Sequence, residues 1–471
     1  MTTDLAFISA TDAASLYRSG KISPVEVTTA CLEKIYTHNS AINAFCLVDV
    51  SAALEAARLS EKRFREGKPL GLIDGIPVAI KDLLLTKAWP TLRGSKIVSE
   101  NQPWNEDSPA VARLKESGAI LLGKTTTPEF GWKAVTDSPL TGITRNPWDT
   151  GKTPGGSSGG SAAALASGMT ILALGSDGGG SIRIPASFTG TVGLKPTSGR
   201  VPLWPMSVFG TLAHHGPMAR NVRDTAILMN VISLYDARDI YAVPGLPEDF
   251  CEGLNEKIAH VRVAYSPNLL GCKANADVDE SVAQAVRISQ TQGIRVDIIA
   301  NPLGNLREQV EATWRVHWLL GLMKISQSYP ALMKSKDVDP GLIALIEEGK
   351  NLSVQQILDA ISLREELTFS LNELFSKQDL LITPTVAIPP FEIGLNVPRA
   401  SAFKHWWEWT PFTLPFNLSR HPAISIPCGL TADGLPIGLQ IVGRLGEDKL
   451  VLQAARAFET ILPSSKFPGQ K

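Results

Sequence analysis

The stretch Thr153–Pro196 constrains this chain more than any other. It reads T-P-G-G-S-S-G-G-S-A-A-A-L-A-S-G-M-T-I-L-A-L-G-S-D-G-G-G-S-I-R-I-P-A-S-F-T-G-T-V-G-L-K-P. Serines stand in glycine runs twice, at Ser157–Ser158 and at Ser181. Glycine tolerates unusual backbone angles and lets main-chain N–H groups approach a ligand closely. A flexible Gly/Ser linker would carry polar flanks. Here the flanks Ala162–Leu165 and Met169–Leu174 are apolar and read as buried. The expectation is a backbone-lined site with hydroxyls at its centre.

The chemistry around that stretch is narrowed by what the chain lacks. The net charge of −1 gives no electrostatic case for nucleic acid or an anionic membrane as a general partner. Five scattered cysteines (Cys31, Cys46, Cys251, Cys272, Cys428) form no C-x-x-C pair, which argues against a disulfide framework or thiolate zinc site. Seven histidines show no metal-binding spacing. Met1–Ala13 has neither a basic start nor an apolar core, so no signal peptide is expected. No apolar run of about 18 residues suggests a membrane span. The expectation is a metal-free, cofactor-free cytoplasmic protein. Its 471 residues are 44% hydrophobic and 19% charged, enough for a large α/β core.

Three further features bear on the site. Ile76–Ile80 reads as a buried strand ending in Lys81-Asp82, and lysine is seldom buried unless paired. Lys81 is therefore either a surface residue, one neutralised by Asp82, or a desolvated lysine with a lowered pKa that can act as a base. Gly118–Thr125 matches the phosphate-loop pattern G-x-x-x-x-G-K-[ST]. Its variable positions form an apolar strand and no amphipathic helix follows, so a nucleotide site is rejected. Gly155–Gly159 matches G-x-S-x-G, but Asn146–Lys152 before it makes a poor strand. Ser157 is expected just before a helix starting near Ser161.

Met169–Gly175 reads as a strand running into Ser176-Asp177-Gly178-Gly179-Gly180-Ser181. Consecutive glycines let several N–H groups converge, as an oxyanion hole requires. Ser181 is the natural nucleophile, and Arg183 reads as a structural hydrogen-bonding residue. His214, His215 and His421 are remote in sequence, and spacing alone leaves a Ser-His-Asp arrangement open.

Elsewhere the pattern alternates. Helices are expected near Thr11, from Pro24, and over 51–66, 108–117, 220–233, 279–292 and 449–462. Strands are expected at 119–122, 261–265, 294–299, 380–385, 423–427 and 437–442. Residues 306–375 read as mainly helical, with Trp314, His317 and Trp318 as packing residues. Phe403–Phe416 is aromatic-dense and reads as a pocket wall (Trp406, Trp409, Phe412) or an interface patch.

Together these residues resemble the amidase signature family across nearly the whole chain. The specific pieces are the central block, Gly75–Asp82, Gly118–Thr125, Asn146–Asp149, Gly216–Arg220 and Gly434–Gln440. The resemblance implies one large α/β/α domain with a mixed, mostly parallel central sheet covered by helices on both faces. A helical N-terminal section would span 1–70 and the signature domain 71–471, with a core at about 71–225. A variable helical region at about 234–378 and a C-terminal sheet and helix at 379–462 would follow. It also implies a Ser-Ser-Lys triad: Ser181 as nucleophile, Ser157 on a cis peptide as bridge, and Lys81 as base. N–H groups of Gly178, Gly179 and Gly180 would hold the oxyanion. The implied activity is hydrolysis of a small-molecule amide through an acyl-enzyme. The alternatives are the ammonia-releasing component of a tRNA-dependent amidotransferase and a non-catalytic binding paralogue.

The chain departs from the family pattern at four places. Ile184 stands where the amidotransferase members have Gln, and Leu212–His215 replaces their S-S-L-D-Q segment; both favour a stand-alone amidase. Gly178 stands where many members have Thr. Arg420 replaces a glycine of N-x-[ST]-G-x-P, and could meet an anionic substrate group or point to solvent. The aromatic segment and Trp204–Phe209 suggest an aryl or apolar substrate. The helical N-terminal section reads as either a cap on the domain or a homodimer contact.

Overall fold

The computed structural model describes residues 4–245, 247–463 and 466–470. Thirteen strands lie within them: β1 Phe45–Val48, β2 Pro77–Lys81, β3 Ile120–Thr125, β4 Asp137–Ser138, β5 Gly142–Ile143, β6 Leu172–Asp177 and β7 Val192–Lys195; then β8 His214–Ala219, β9 Val263–Tyr265, β10 Val296–Ile298, β11 Leu380–Pro384, β12 Ala423–Leu430 and β13 Pro436–Gly443. Eleven form one sheet, ordered β1-β3-β2-β6-β8-β7-β12-β13-β11-β9-β10; β4 and β5 pair separately.

The sheet is mixed, as expected, but parallel pairing is not in the majority. Among the described residues, four pairings are parallel (β2–β3, β2–β6, β9–β11, β9–β10). Six are antiparallel. Parallel neighbours arise where a helix carries the chain back, as the helix Ala276–Thr291 does between β9 and β10. The middle of the sheet is antiparallel because β8 folds back on both β6 and β7. β12 and β13 join through the short turn Ala432–Leu435.

The helices Gly159–Ala166 and Val222–Ile232 both pack on β6 and β8. They lie against different second helices, Arg183–Thr189 and Asp448–Ile461, and so cover opposite faces. Every residue of Gly159–Ala166 is buried. Its Gly-Gly-Ser-Ala-Ala-Ala sequence suits that place, since small side chains on all sides let a helix sit between layers.

The N-terminal section is joined to this core rather than set apart. Its long helix Pro24–Ile42 starts with a Ser23/Glu26 capping box and proline in the first turn. It also supplies an edge strand, β1, for which the sequence pattern gives no expectation. The same holds for two central strands, β7 and β8. β8 reads His-His-Gly-Pro-Met-Ala, with proline opposite Leu174, and proline argues against a central strand by propensity.

Candidate active site

β2 and β6 are parallel neighbours, so their carboxyl ends lie side by side at one edge of the sheet. Open α/β sheets place ligands in the crevice beyond such ends. Lys81 is the last residue of β2, and β6 runs directly into the turn Gly178–Ser181. The two halves of the expected site, 100 residues apart in sequence, meet through this pairing.

Lys81 is fully buried. Its Nζ lies 2.6 Å from Ser157 Oγ, 2.9 Å from Ser158 Oγ and 2.9 Å from Ser176 Oγ. Asp82 does not neutralise it: that carboxylate faces Lys124 Nζ at 3.6 Å and accepts from the Gly94 N–H. Burial therefore pushes the Lys81 pKa well below the ordinary lysine value, and the Asp177 charge opposes this only in part. A neutral amine can accept a proton from one of the three hydroxyls around it.

Ser157 follows a cis peptide bond from Gly156 and precedes the helix Gly159–Ala166, at which Ser158 is the N-cap. The Ser158 hydroxyl makes no cap; it donates to Ser176 O at 3.1 Å and contacts Lys81. Ser158 is thus a positioning residue, which the sequence does not separate from its neighbour. The Ser158 N–H also donates to Ser181 O at 3.1 Å, tying the two serine segments together. Ser157 and Ser181 line the same cavity, although their hydroxyls do not hydrogen-bond each other in this conformation.

The Gly178–Ser181 turn is held from behind. Trp314 Nε1 donates to Gly178 O at 2.9 Å, and Thr413 Oγ1 donates to Gly179 O at 2.7 Å. In a trans peptide the N–H points opposite its carbonyl, so anchoring Gly178 O turns the Gly179 N–H the other way. Gly178 has no room for a side chain, because a Cβ there would meet the Trp318 ring at 2.9 Å.

The expectation for Gly180 needs correction. Its N–H donates to Asp177 Oδ1 at 2.7 Å and is not available to an oxyanion. Its role is conformational: φ is +122°, a backbone region open mainly to glycine. Among the described residues no acceptor engages the N–H groups of Gly178, Gly179 and Ser181, which leaves those three as donors.

Asp177 anchors the turn. It takes two hydrogen bonds from Arg183, at 3.0 Å each, one from Asn417 Nδ2 at 2.9 Å, and one from the Ile182 N–H at 3.2 Å. Burial alone would raise its pKa, but Arg183 and Asn417 hold the carboxyl well below the usual range. Arg183 also donates to Gln440 Oε1 at 2.7 Å and to Asn417 Oδ1 at 2.6 Å. It is the structural hydrogen-bonding residue the sequence suggests.

A Ser-His-Asp arrangement does not form. His214 Nδ1 lies 2.9 Å from Leu212 O, and His421 Nδ1 lies 2.9 Å from Ser419 Oγ. His215 lines the cavity, but its buried Nδ1 has no partner among the described residues, so no carboxylate orients it. Burial and the nearby Lys81 push its pKa down to about 3, which keeps the ring neutral.

The Amidase family model matches residues 26–452. The chain belongs to the amidase family. An acylamidase of Rhodococcus erythropolis is 34% identical over 466 residues, covering 98% of this chain and 96% of that protein. In Desulforapulum autotrophicum, the A subunit of glutamyl-tRNA(Gln) amidotransferase is also 34% identical, covering 97% of each. Among solved structures, a bacterial aryl acylamidase of the amidase signature family superposes with a TM-score of 0.90 at 29% identity, covering 99% of both chains. A 6-aminohexanoate cyclic dimer hydrolase follows at 0.88 and 29%, covering 98% of both.

As in other members of this amidase family, the reaction of the chain is hydrolysis of an amide C–N bond. The cavity that Ser157 and Ser181 line encloses about 240 Å³. The walls come from Leu83–Leu85, Phe130, Leu203–Phe209, Trp318 and Tyr329. Phe209 stacks on Trp318 with ring centroids 3.8 Å apart. The segment Trp204–Phe209 is therefore where the sequence suggests, whereas Trp318, expected only as a packing residue, is a wall.

The Phe403–Phe416 expectation fails. Trp406, Trp409 and Phe412 are buried in a second hydrophobic cluster and do not line the cavity. Trp406 packs edge-on against Trp314, so it supports the anchor of the Gly178–Ser181 turn from one layer back. Arg420 is exposed and also lies away from the cavity. Its φ of +69° is a left-handed value, which accounts for glycine in the family pattern at this position. The false phosphate loop is strand β3, with Lys124 buried inside it.

Proposed function

We propose that the chain is a stand-alone amidase for apolar or aryl amides, working through a Ser181 acyl-enzyme. Neutral Lys81 accepts a proton from Ser157 as Ser157 takes one from Ser181. Ser181 Oγ attacks the amide carbonyl, and the N–H groups of Gly178, Gly179 and Ser181 receive the oxyanion, each donor being worth about 3 kcal/mol of barrier. The proton returns through Ser157 to the leaving amine, and water resolves the ester to the acid. The relay needs Ser181 Oγ to rotate onto Ser157, since the two hydroxyls are not paired at rest.

One observation carries this reading. A buried lysine with no ion pair among the described residues stands 2.6 Å from the Ser157 hydroxyl, behind the wall of a cavity that Ser157 and Ser181 both line. A fully buried charged lysine would need a partner, so the arrangement fits a base. The aromatic walls and the likeness to acylamidases support an aryl or apolar substrate. They suit glutamine, the ammonia donor of the amidotransferase reading, poorly. The five unpaired cysteines suit a reducing cytoplasm, and no helix among the described residues is long and apolar enough to cross a membrane.

The test is hydrolysis of aliphatic, aryl and amino-acid amides by the purified single chain. Turnover of aryl amides without a partner chain is expected. Ser181→Ala should lower kcat by at least about 1000-fold and abolish labelling by a fluorophosphonate probe. Equal labelling of wild type and variant would remove Ser181 from its role.

A further inference from the structure

The catalytic cavity carries one charged side chain that the mechanism does not use. Arg93 lines it, half-buried, and among the described residues its guanidinium has neither a hydrogen bond nor an ion pair. The other ionic group on the wall, Asp177, is consumed by Arg183 and Asn417. Asp82, the acid that senses Arg93, is paired with Lys124 instead. His215 is neutral. The wall thus combines apolar and aromatic side chains with serine hydroxyls and one positive charge that no carboxylate pairs directly among the described residues.

The backbone from which that side chain springs is held in place. Arg93 has φ +57° and Phe130 has φ +51°, both left-handed values that cost a non-glycine residue about 1 kcal/mol or more. The two are joined by a 2.7 Å hydrogen bond from the Phe130 N–H to Arg93 O. Both line the cavity, and Phe130 is braced by Tyr329, with ring centroids 5.1 Å apart. The next residue, Gly131, lies against the relay serine, since a Cβ there would stand 3.4 Å from Ser157 Oγ. The backbone of Arg93 is therefore joined by a short path to the reacting centre, and its side chain starts from a defined point on the cavity wall. Strained residues of this kind gather where a site must be pre-organised.

We propose that Arg93 is a specificity-determining residue that selects amides bearing a carboxylate, on either the acyl or the amine side, beside their apolar body. This rests on the amidase reading above. Arginine's planar fork pairs carboxylates through two parallel N–H···O bonds, and the aromatic wall weakens the competition from water. The hydrolysis is unchanged: water adds to the carbonyl, the C–N bond breaks, and the acid and amine leave. Only the affinity and placement of the substrate depend on Arg93.

Two matched substrate pairs test the idea. Glutaryl 4-nitroanilide against pentanoyl 4-nitroanilide places the acid on the acyl side. 4-Acetamidobenzoate against 4-acetamidotoluene places it on the amine side. The readout is the ratio of kcat/KM for acid over neutral partner, in wild type, Arg93→Gln and Arg93→Lys. In at least one pair the wild-type ratio should fall about tenfold or more in Arg93→Gln, be partly kept in Arg93→Lys, and decline with added salt. Ratios that agree within about twofold between wild type and Arg93→Gln overturn the proposal while leaving the amidase reading intact. If all four amides resist the wild-type enzyme, both readings fall. Should Arg93→Gln not fold, competitive inhibition of wild type by benzoate and by benzyl alcohol decides. Tighter, salt-sensitive benzoate binding supports the role, and equal binding overturns it.

Discussion

At the residue scale, the decisive fact about Lys81 is what surrounds it. Three hydroxyls lie within 2.9 Å of Nζ, and no carboxylate among the described residues is close enough for an ion pair. Charge there would be poorly compensated, and the lowered pKa follows. The proposed mechanism uses the neutral amine, whose fraction rises with pH through that pKa. The acidic limb of kcat/KM against pH should therefore lie well below the ordinary lysine value of 10.5. Lys81→Arg keeps a cation that cannot deprotonate, and should lose at least about 1000-fold in kcat. An active arginine variant would show that charge, not basicity, is what the site uses. Arg420 gives the contrasting case, exposed and far from the cavity lining. Arg420→Ala should leave the relative rates on anionic and neutral amides unchanged. A change of about tenfold in that ratio would return it to the substrate site.

At the scale of elements, the aromatic-rich segment before β12 works as a buttress. Trp409 is fully buried and stacks on Phe188 of the helix Arg183–Thr189, with ring centroids 5.8 Å apart. That helix begins two residues after Ser181, the proposed nucleophile. Trp409→Ala should therefore cost about 3–5 kcal/mol of stability, measured by urea unfolding. Its substrate preference should stay that of wild type. A changed preference with little loss of stability would place Trp409 in the pocket after all. The sequence cannot tell these roles apart, because an aromatic side chain serves equally in a core or a pocket wall. The same ambiguity explains Trp318, whose helical setting suggests packing although it lines the cavity.

At the scale of the whole molecule, the sheet buries three lysines: Lys81, Lys124 and Lys195. Burial lowers the pKa of Lys124 to about 8 and that of Lys195 to about 7. Between those values and 10.5 the unfolded chain binds more protons than the folded one, so stability rises with pH through that window. Buried thiols act in the opposite direction only around and above their unfolded value of 9.0, where the unfolded chain ionises first. From about pH 7 to about pH 8.5 the unfolding free energy should therefore rise, with Lys195 contributing about 1 kcal/mol per pH unit. Lys195→Met should flatten the slope. It should also lower absolute stability, because His421 O and Pro196 O lose their donor. An unchanged slope would mean that Lys195 is charged when folded.

The sequence by itself determined the family, the class of bond hydrolysed and most of the elements. Glycine runs around two serines, a lysine closing an apolar strand, and helical or alternating apolar periods are local signals, and local signals survive in one dimension. The tertiary structure decided what depends on partners distant in the chain. Strand β8 exists because β6 and β7 flank it, against the propensity of its Gly-Pro pair. Gly180 is withdrawn from the proposed oxyanion donors because Asp177 takes its N–H. Arg93, unmarked in the sequence, reaches the cavity through a backbone bond to Phe130, 37 residues away. A side chain's neighbours fix its charge, direction and access to a ligand, and folding chooses those neighbours.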